Sequence, residues 1–204
     1  MGVESMNDIR TTMRTVILAS TSPYRRQLLE RLGLRFQTAD PAVDETPIPG
    51  ELPEALARRL AHAKAAAVAR AYPQALIIGS DQVAVVAGEI LGKPGGHEQA
   101  VRQLQRLSGR SVDFLTALCL LNSATRRVQH ALVPATVVFR HLNDAQIDHY
   151  LSREPAYNCA GGFKSEGLGI GLLEKISSDD PTALIGLPLI SLTSMLAQEG
   201  VQII

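Results

Sequence analysis

The feature that most constrains this chain is a regular alternation of short apolar runs with segments of helical period. The first run, residues 16–19, is followed by Ser20-Thr21-Ser22-Pro23, which predicts a buried strand, a helix cap and a helix with proline in its first turn. The alternation continues without a linker, repeat or low-complexity tract. It predicts one α/β domain over residues 14–204.

The same periodicities predict the remaining elements. Helices are expected over about residues 23–32, 53–71, 98–107, 143–153 and 188–199. Strands are expected at 34–38, 76–78, 112–121 and 128–139, with a hairpin of 83–86 and 89–91 and a short strand after the glycine-rich segment 160–171. The polar residues 1–13 are predicted to be a disordered extension; alternatively, residues 1–12 precede a true start at Met13.

Charge, cysteine and histidine content argue against several functions. The 204 residues carry 20 Lys and Arg against 20 Asp and Glu, so no net field favours nucleic acid or an anionic membrane. Cys119 and Cys159 lack metal-type spacing and a disulfide framework, and the five histidines show no ligand spacing. No apolar run reaches the roughly 18 residues of a spanning helix, and the opening residues lack the pattern of a secretory signal. We expect a cytoplasmic enzyme or binding domain that binds neither nucleic acid nor membrane.

A first candidate site is the segment Ser20-Thr21-Ser22-Pro23-Tyr24-Arg25-Arg26, where a strand leads into a helix. Free backbone N–H groups at a helix start favour an anion, and nearby hydroxyl and guanidinium groups strengthen such a site. The alternative is an ordinary helix cap followed by solvated arginines. Because neighbouring helix positions point about 100° apart, Arg25 and Arg26 are not expected to share one role.

Two charged residues lie within apolar patterns. Lys64 follows Leu56 and Leu60 at intervals of four, so it lies on the apolar stripe of its helix. An ammonium there either snorkels to solvent or meets an anion, because burying it unpaired is costly. Asp81 closely follows the apolar run 76–78, and an acid at the end of a buried strand often faces the ligand crevice of an α/β sheet. It would there bind a divalent metal or accept a proton from water, or else it caps a turn.

Two loops add charges of both signs. Gly92-Lys93-Pro94 places a cation beyond the expected hairpin, and Asp44 and Glu45 place carboxylates in a proline-rich loop. Charged residues in loops are usually solvated, so each of these loops alone is only a weak indication of a site. With Lys64 and Asp81 they supply the oxygen ligands and cations that a magnesium–triphosphate site needs.

Seven short motifs follow one another over nearly all of the chain after Met13. They are Ala19-Ser-Thr-Ser-Pro-Tyr-Arg-Arg26, Val43-Asp-Glu-Thr-Pro47, Arg59-Leu-Ala-His-Ala-Lys-Ala65, Ile78-Gly-Ser-Asp-Gln-Val83, Gly92-Lys-Pro94, Cys159-Ala-Gly161 with Phe163-Lys-Ser-Glu-Gly167, and Ile185-Gly-Leu-Pro-Leu189. In sequence and order they resemble the motifs of the Maf family of nucleoside triphosphate pyrophosphatases. The resemblance implies a Maf/ITPase-like fold, with a twisted mixed β-sheet flanked by helices and a nucleotide-binding cleft. It also implies a divalent cation (Mg²⁺ or Mn²⁺) and a homodimer.

The resemblance implies roles for individual residues. Asp81 matches the family's catalytic acid, which accepts a proton from the attacking water, and Glu45 would position metal or water beside it. The implied reaction is metal-assisted attack at the α-phosphate, with pyrophosphate leaving. The residues that match phosphate-binding positions are Ser20, Arg25, Lys64 and Lys93.

Three positions resemble the branch of the family that hydrolyses N7-methylguanosine triphosphate: Tyr24, Gln82 and Glu166 stand where the thymidine/uridine branch typically has Arg, Thr and Gln. Methylation at N7 makes the base cationic, and an aromatic face such as that of Tyr24 holds a cation with about 0.5–2 kcal/mol. A carboxylate at Glu166 can accept hydrogen bonds from the guanine N1–H and 2-amino group and offset the positive charge. Alternatively, Tyr24 simply packs beneath the helix start.

The sequence departs from this branch of the family at one position, and two alternative functions stay open. Gly162 stands where relatives in this branch usually carry serine, so a hydroxyl near the base pocket would be missing. The same chemistry on dTTP, UTP or a damaged purine nucleotide is one alternative function. A non-enzymatic nucleotide-binding regulator of cell division is the other, and it would not need a base at Asp81.

Overall fold

The structure, a computed structural model, describes residues 14–204. The predicted extension of residues 1–13 lies outside the described residues. Within the described range strands and helices alternate, as the sequence predicts. The strands are β1 (Thr15–Ala19), β2 (Phe36–Ala39), β3 (Ala75–Val86), β4 (Glu89–Leu91), β5 (Ser111–Asn122), β6 (Arg127–Phe139) and β7 (Leu173–Ser178). The helices are α1 (Pro23–Glu30), α2 (Pro53–Ala69), α3 (His97–Leu107), α4 (Asp144–Arg153) and α5 (Leu189–Gln198).

These strands form one mixed sheet in the order β2-β1-β3-β5-β6-β7, with β4 paired to β3. β1 is parallel to β2 and β3, and α1 and α2 provide the crossovers that parallel neighbours require. The remaining pairs, including the long β5–β6 hairpin, are antiparallel. The predicted single α/β domain with a mixed sheet flanked by helices is confirmed.

The sheet opens beside β3 because β1 ends early. Pairing of β1 with β3 stops at Leu18 and Ile78, whereas β4 pairs with β3 only from Ala84 onward. Between these points β3 has β5 on one side and, in the range 14–204, no strand on the other. Asp81 lies in this gap, inside a continuous strand of 12 residues. The expectation of a strand that ends before Gly79, with a turn after it, is therefore wrong, because pairing with β5 keeps the chain extended.

Helix α2 packs close against β3 through small side chains. Ala61 and Ala65, spaced by one helical turn, are fully buried at this contact. A Cβ at Gly79 would lie 2.1 Å from the Ala61 carbonyl oxygen, so only glycine permits the approach. The close packing brings Lys64 of α2 to Asp81 of β3.

Apolar side chains pack on both faces of the sheet, in the alternation expected of a doubly covered strand. In β3, Leu76 and Ile78 pack with residues of α1 and α5, whereas Ile77 packs with residues of α2. A third cluster around Phe114 and Phe139 packs α3 and α4 against the other half of the sheet. These clusters fix the elements from which the cleft is built.

Most predicted boundaries agree with the structure within two residues. Asn143 and Gln146 form the predicted capping box of α4. Helix α2 ends at Ala69 rather than Ala71, and β2 begins at Phe36 rather than Leu34, because its pairing with residues 16–19 of β1 sets its limits. Among residues 14–204, no helix combines the length and apolarity needed to cross a membrane.

Candidate active site

A cleft of about 650 Å³ opens at the gap beside β3. Its walls come from the start of α1, the loop after β2, α2, β3, the turn after β4 and the segment around residues 158–166. This volume suits a ligand of nucleotide size. Arg26 and Asp44, which the sequence also named, do not line the cleft. The nine residues to which the family resemblance assigns a role all line it: Ser20, Tyr24, Arg25, Glu45, Lys64, Asp81, Gln82, Lys93 and Glu166.

Lys64 joins two carboxylates at the centre of this cleft. Its Nζ donates to Asp81 Oδ1 at 2.6 Å and lies 2.6 Å from Glu45 Oε1. Lys64 and Asp81 are buried, whereas about half of the Glu45 side chain is exposed. Of the two alternatives left open by the sequence, Lys64 therefore meets anions and does not snorkel. The bond uses one oxygen of Asp81 and leaves the second accessible from the cleft.

The charges in the cleft perturb one another. Burial by itself would raise the pKa of Glu45, but its bond to Lys64 and the charges of Lys93 and Arg25 hold that pKa below its ordinary value. Burial lowers the pKa of Arg25, and the charges of Asp81 and Glu45 oppose the shift. A guanidinium starts from so high a pKa that it stays charged. The cleft thus places cations next to carboxylates. A polyanionic ligand would bind these cations, either by displacing the carboxylates or by sharing the cations with them.

Arg25 is fixed by the backbone of a distant loop. Its Nε donates to the Gly186 carbonyl at 2.8 Å, and the same carbonyl accepts a bond from Ser80 Oγ at 2.9 Å. Gly186 has φ 115°, a conformation that disfavours any side chain. With Nε held in this way, the terminal nitrogens of Arg25 remain as donors for an anion in the cleft.

Helix α1 begins with an N-cap, in which the hydroxyl oxygens of Ser20 and Ser22 accept hydrogen bonds from backbone N–H groups. Ser22 Oγ accepts from the Arg25 N–H at 3.4 Å, and Ser20 Oγ accepts from the Ser22 N–H at 3.1 Å. Pro23 has no N–H to offer. Of the two alternatives that the sequence left open here, the ordinary helix cap is therefore present. Anion binding at this end of the cleft rests on the Arg25 guanidinium and the Ser20 hydroxyl hydrogen more than on free backbone N–H groups.

Tyr24 lies half-buried in the cleft wall, and a lysine covers part of its ring. Lys164 Nζ is 5.7 Å from the ring centroid, which is a cation–π distance. Lys164 itself does not line the cleft. Glu166, exposed at the same end of the cleft, carries the compensating negative charge. The sequence hypothesis named Tyr24 and Glu166 but missed Lys164.

Gln82 is held by three bonds. Its Nε2 donates to Thr116 Oγ1 at 2.9 Å and to the carbonyls of Ala183 and Leu184 at 3.0 Å each. The amide hydrogens are thus engaged within the protein, and Gln82 acts on the cleft by positioning the loop that includes Leu184. A specificity role through direct donation to a base has no support in this arrangement.

Gly162 does not face the cleft. It is buried with φ +69°, and a Cβ there would lie 3.4 Å from Gln103 Oε1 and 3.8 Å from Pro94 Cγ. Gln103 Oε1 is a buried oxygen without a hydrogen-bond partner in the described range. A serine hydroxyl at position 162 would meet Gln103, so the departure at Gly162 concerns the support of the cleft.

The loop between β7 and α5 helps to hold the site residues in place, and the sequence analysis did not predict this role. Asp180 is buried and accepts bonds from Thr182 N and Oγ1 and from the Ile190 N–H, which ties the loop to the start of α5. The loop then presents the carbonyl of Gly186 to Arg25. The motif at 185–189 marked the segment, but carbonyl contacts of this kind leave no side-chain signal in a sequence.

The fold and cleft define a class: an α/β protein whose mixed sheet is interrupted beside a nucleotide-sized, charge-lined cleft. The solved structure of the Staphylococcus aureus Ham1 protein has this fold, with a TM-score of 0.53 over 91% of this chain and 100% of that one. The two sequences are 14% identical, so the likeness concerns the fold alone.

Within this class the chain belongs to the Maf family: the family model described as "Maf-like protein" matches residues 15–199. A relative from Pseudomonas aeruginosa is 56% identical over 191 residues, covering 94% of this chain and 100% of its own length. One from Thiobacillus denitrificans is 56% identical over 193 residues, covering 95% and 96%. Both are named 7-methyl-GTP pyrophosphatase. The family resemblance drawn from the seven motifs is confirmed.

Proposed function

We propose that this protein is a nucleoside triphosphate pyrophosphatase that hydrolyses N7-methyl-GTP to the monophosphate and pyrophosphate. The observation that carries the proposal is the buried Lys64 between Asp81 and Glu45 in a nucleotide-sized cleft. The names of relatives that are 56% identical over nearly the whole chain support the same reaction and substrate.

Cations around the cleft would bind the triphosphate. Arg25, held at Nε by Gly186, presents its terminal nitrogens, and the exposed Lys93 adds a mobile ammonium. Lys64 would share its ammonium between Asp81 and a phosphate oxygen. Cations fixed before substrate arrives stabilise charge that builds on phosphate oxygens in the transition state.

Asp81 is the proposed general base. Lys64 holds one of its oxygens and so leaves the other to accept a proton from a water molecule in the cleft. The oxygen of that water bonds to the α-phosphorus, the bond between this phosphorus and the α–β bridging oxygen breaks, and pyrophosphate leaves. Glu45 would orient the water or help to hold a cation.

The donor set suits a divalent cation such as Mg²⁺ or Mn²⁺. The carboxylates of Asp81 and Glu45 contact the same ammonium at 2.6 Å, so their oxygens are at most twice that distance apart. Two hard oxygen donors this close, open to a cleft that receives phosphates, are typical of Mg²⁺ sites. When bound, such an ion neutralises phosphate charge and polarises the phosphoryl group.

The base would bind at the end of the cleft that contains Tyr24 and Glu166. The free face of Tyr24 can stack on a purine, and the Glu166 carboxylate can accept from the guanine edge. The nearby charge of Lys164 opposes a cationic base, so the preference for N7-methylguanine depends on Glu166. A homodimer remains a prediction from the family resemblance, and a cytoplasmic location remains a prediction from the composition of the sequence.

The proposal is tested by incubating purified protein and Mg²⁺ with N7-methyl-GTP, GTP, dTTP, UTP and CTP and measuring pyrophosphate release. We expect preferential cleavage of N7-methyl-GTP and a loss of about 10²–10⁴ in kcat for Asp81→Asn. Asp148→Asn, at an exposed position of α4, is the matched control and should keep full activity. Release from none of these nucleotides, with Mn²⁺ and Co²⁺ also tried, would favour a nucleotide-binding regulator instead.

A further inference from the structure

A second group of potential metal ligands lies outside the cleft. His62 of α2, Cys119 of β5 and His130 of β6 place their ligand atoms within 4.8 Å of one another. Cys119 and His130 are direct partners in the β5–β6 register, and the Cys119 Sγ is 3.9 Å from His62 Nδ1. Sequence spacing gave no sign of this group, because its members are brought together only by sheet pairing and helix packing.

The geometry of these three residues suits a tetrahedral ion. Zinc with bonds of about 2.3 Å to sulfur and about 2.0 Å to nitrogen separates its ligand atoms by about 3.3–3.6 Å. The sulfur–nitrogen distance of 3.9 Å is close to this value. The two imidazoles are exposed and can turn inward, whereas Cys119 is fixed in the core beneath them.

The chemistry of the three side chains also selects the ion. Imidazole and thiolate are the donors that zinc prefers, whereas the hard Mg²⁺ expected in the cleft prefers oxygen. The exposed Arg58 lies one helical turn before His62 on α2, and its charge is screened by solvent.

We propose that His62, Cys119 and His130 form a zinc site with one coordination position open to solvent. Binding forms one metal–sulfur and two metal–nitrogen bonds, and the Cys119 thiol proton is released to water. None of the three residues lines the cleft, and two helical positions, or about 200°, separate His62 from Lys64 on α2.

Such an ion would tie α2 to β5 and β6. Ligands on three separate elements are brought together only in the folded chain, so the metal should raise the temperature of unfolding. The effect is independent of nucleotide hydrolysis, since the cleft and this site lie on different flanks of α2.

The test is titration of metal-free full-length protein with Co²⁺ and Zn²⁺, recording thiolate-to-cobalt absorption, metal stoichiometry and unfolding temperature. We expect one thiolate-bound ion per chain, a raised unfolding temperature, and apparent zinc affinity at least about tenfold weaker in His130→Asn. His149→Asn, an exposed histidine elsewhere, and Asp81→Asn should bind as the wild type does. His130 is replaced because it is exposed, whereas Cys119→Ser would place a hydroxyl in the core and could destabilise the fold.

The proposal is overturned if no thiolate-to-cobalt absorption develops, or if His130→Asn develops it with unchanged affinity. Pyrophosphate release with Mg²⁺ should be unaltered in His130→Asn. Failure of the proposed reaction would therefore appear in the nucleotide assay alone, and failure of the zinc site in the metal titration alone.

Discussion

Lys64 Nζ lies 2.6 Å from both Asp81 Oδ1 and Glu45 Oε1, so a single buried ammonium joins a carboxylate of a central strand to a carboxylate of the proline-rich loop after β2. The relationship has two consequences. It holds Asp81 in one orientation, and it places a cation where phosphate oxygens would enter.

Replacing Lys64 by methionine should therefore impair both stability and catalysis. Breaking a buried pair by removing one partner costs about 3–5 kcal/mol, and the partial exposure of Glu45 places the expected loss at or below the lower end of that range. We expect kcat/KM to fall roughly 10²- to 10³-fold, as for loss of a fixed donor to the transition state. Denaturant unfolding and steady-state kinetics measure the two effects.

Lys93→Met is the matched control for that substitution, because Lys93 lines the same cleft but is exposed. It should leave the free energy of unfolding unchanged and raise KM more than it lowers kcat. Near-normal kcat/KM in Lys64→Met would contradict the proposed role of the ion pair.

The sequence predicted which residues form the site better than how they are held. Lys64 was recognisable because a charge on an apolar helical stripe needs a partner, and Asp81 because an acid follows a buried run. Their contact depends on Gly79, which lets α2 approach β3, and on the early end of β1. Both facts concern neighbours distant in sequence, which periodicity along one segment cannot reveal.

The same limit explains the mistake about the backbone of β3. Asp81 was placed after a strand because its run of apolar residues stops at Ile78, yet pairing with β5 extends β3 to Val86. The start of α1 differs, because the sequence left both an anion site and an ordinary helix cap open there. The cap forms through local contacts, in which the hydroxyls of Ser20 and Ser22 accept from nearby N–H groups.

The balance of charge around Tyr24 predicts opposite effects of two substitutions on selectivity. Glu166→Gln removes the negative charge that offsets a cationic base and should lower the preference for N7-methyl-GTP over GTP about three- to tenfold. Lys164→Met removes the cation next to the Tyr24 ring and should raise that preference about twofold. The ratio of kcat/KM for the two nucleotides is the measurement, and unchanged selectivity in Glu166→Gln would refute the assignment of the base pocket.

The loop that holds Arg25 can be tested without touching a side chain of the cleft. Gly186→Ala introduces a Cβ at φ 115° and only 3.3 Å from Arg25 Nε, so both strain and displacement are expected. We expect a loss of about 1–3 kcal/mol in unfolding free energy and of about 10- to 100-fold in kcat/KM. Gly171→Ala, where a Cβ has open space, should change neither quantity. Equal kinetics in the two variants would show that Arg25 does not depend on the Gly186 carbonyl.

Substitutions at Gly162 test whether the buried Gln103 Oε1 can be given a hydrogen-bond donor. Alanine at φ +69° should destabilise the protein by about 1–2 kcal/mol, because this backbone conformation disfavours a Cβ. Serine suffers the same strain, but its hydroxyl can donate to Gln103 Oε1, which lies 3.4 Å from the Cβ position. We therefore expect Gly162→Ser to be about 1 kcal/mol more stable than Gly162→Ala in thermal or denaturant unfolding. At Gly50, which has φ +78° and no neighbour within 4 Å, serine and alanine should be equivalent, and the same equivalence at 162 would mean that Gln103 is not reached.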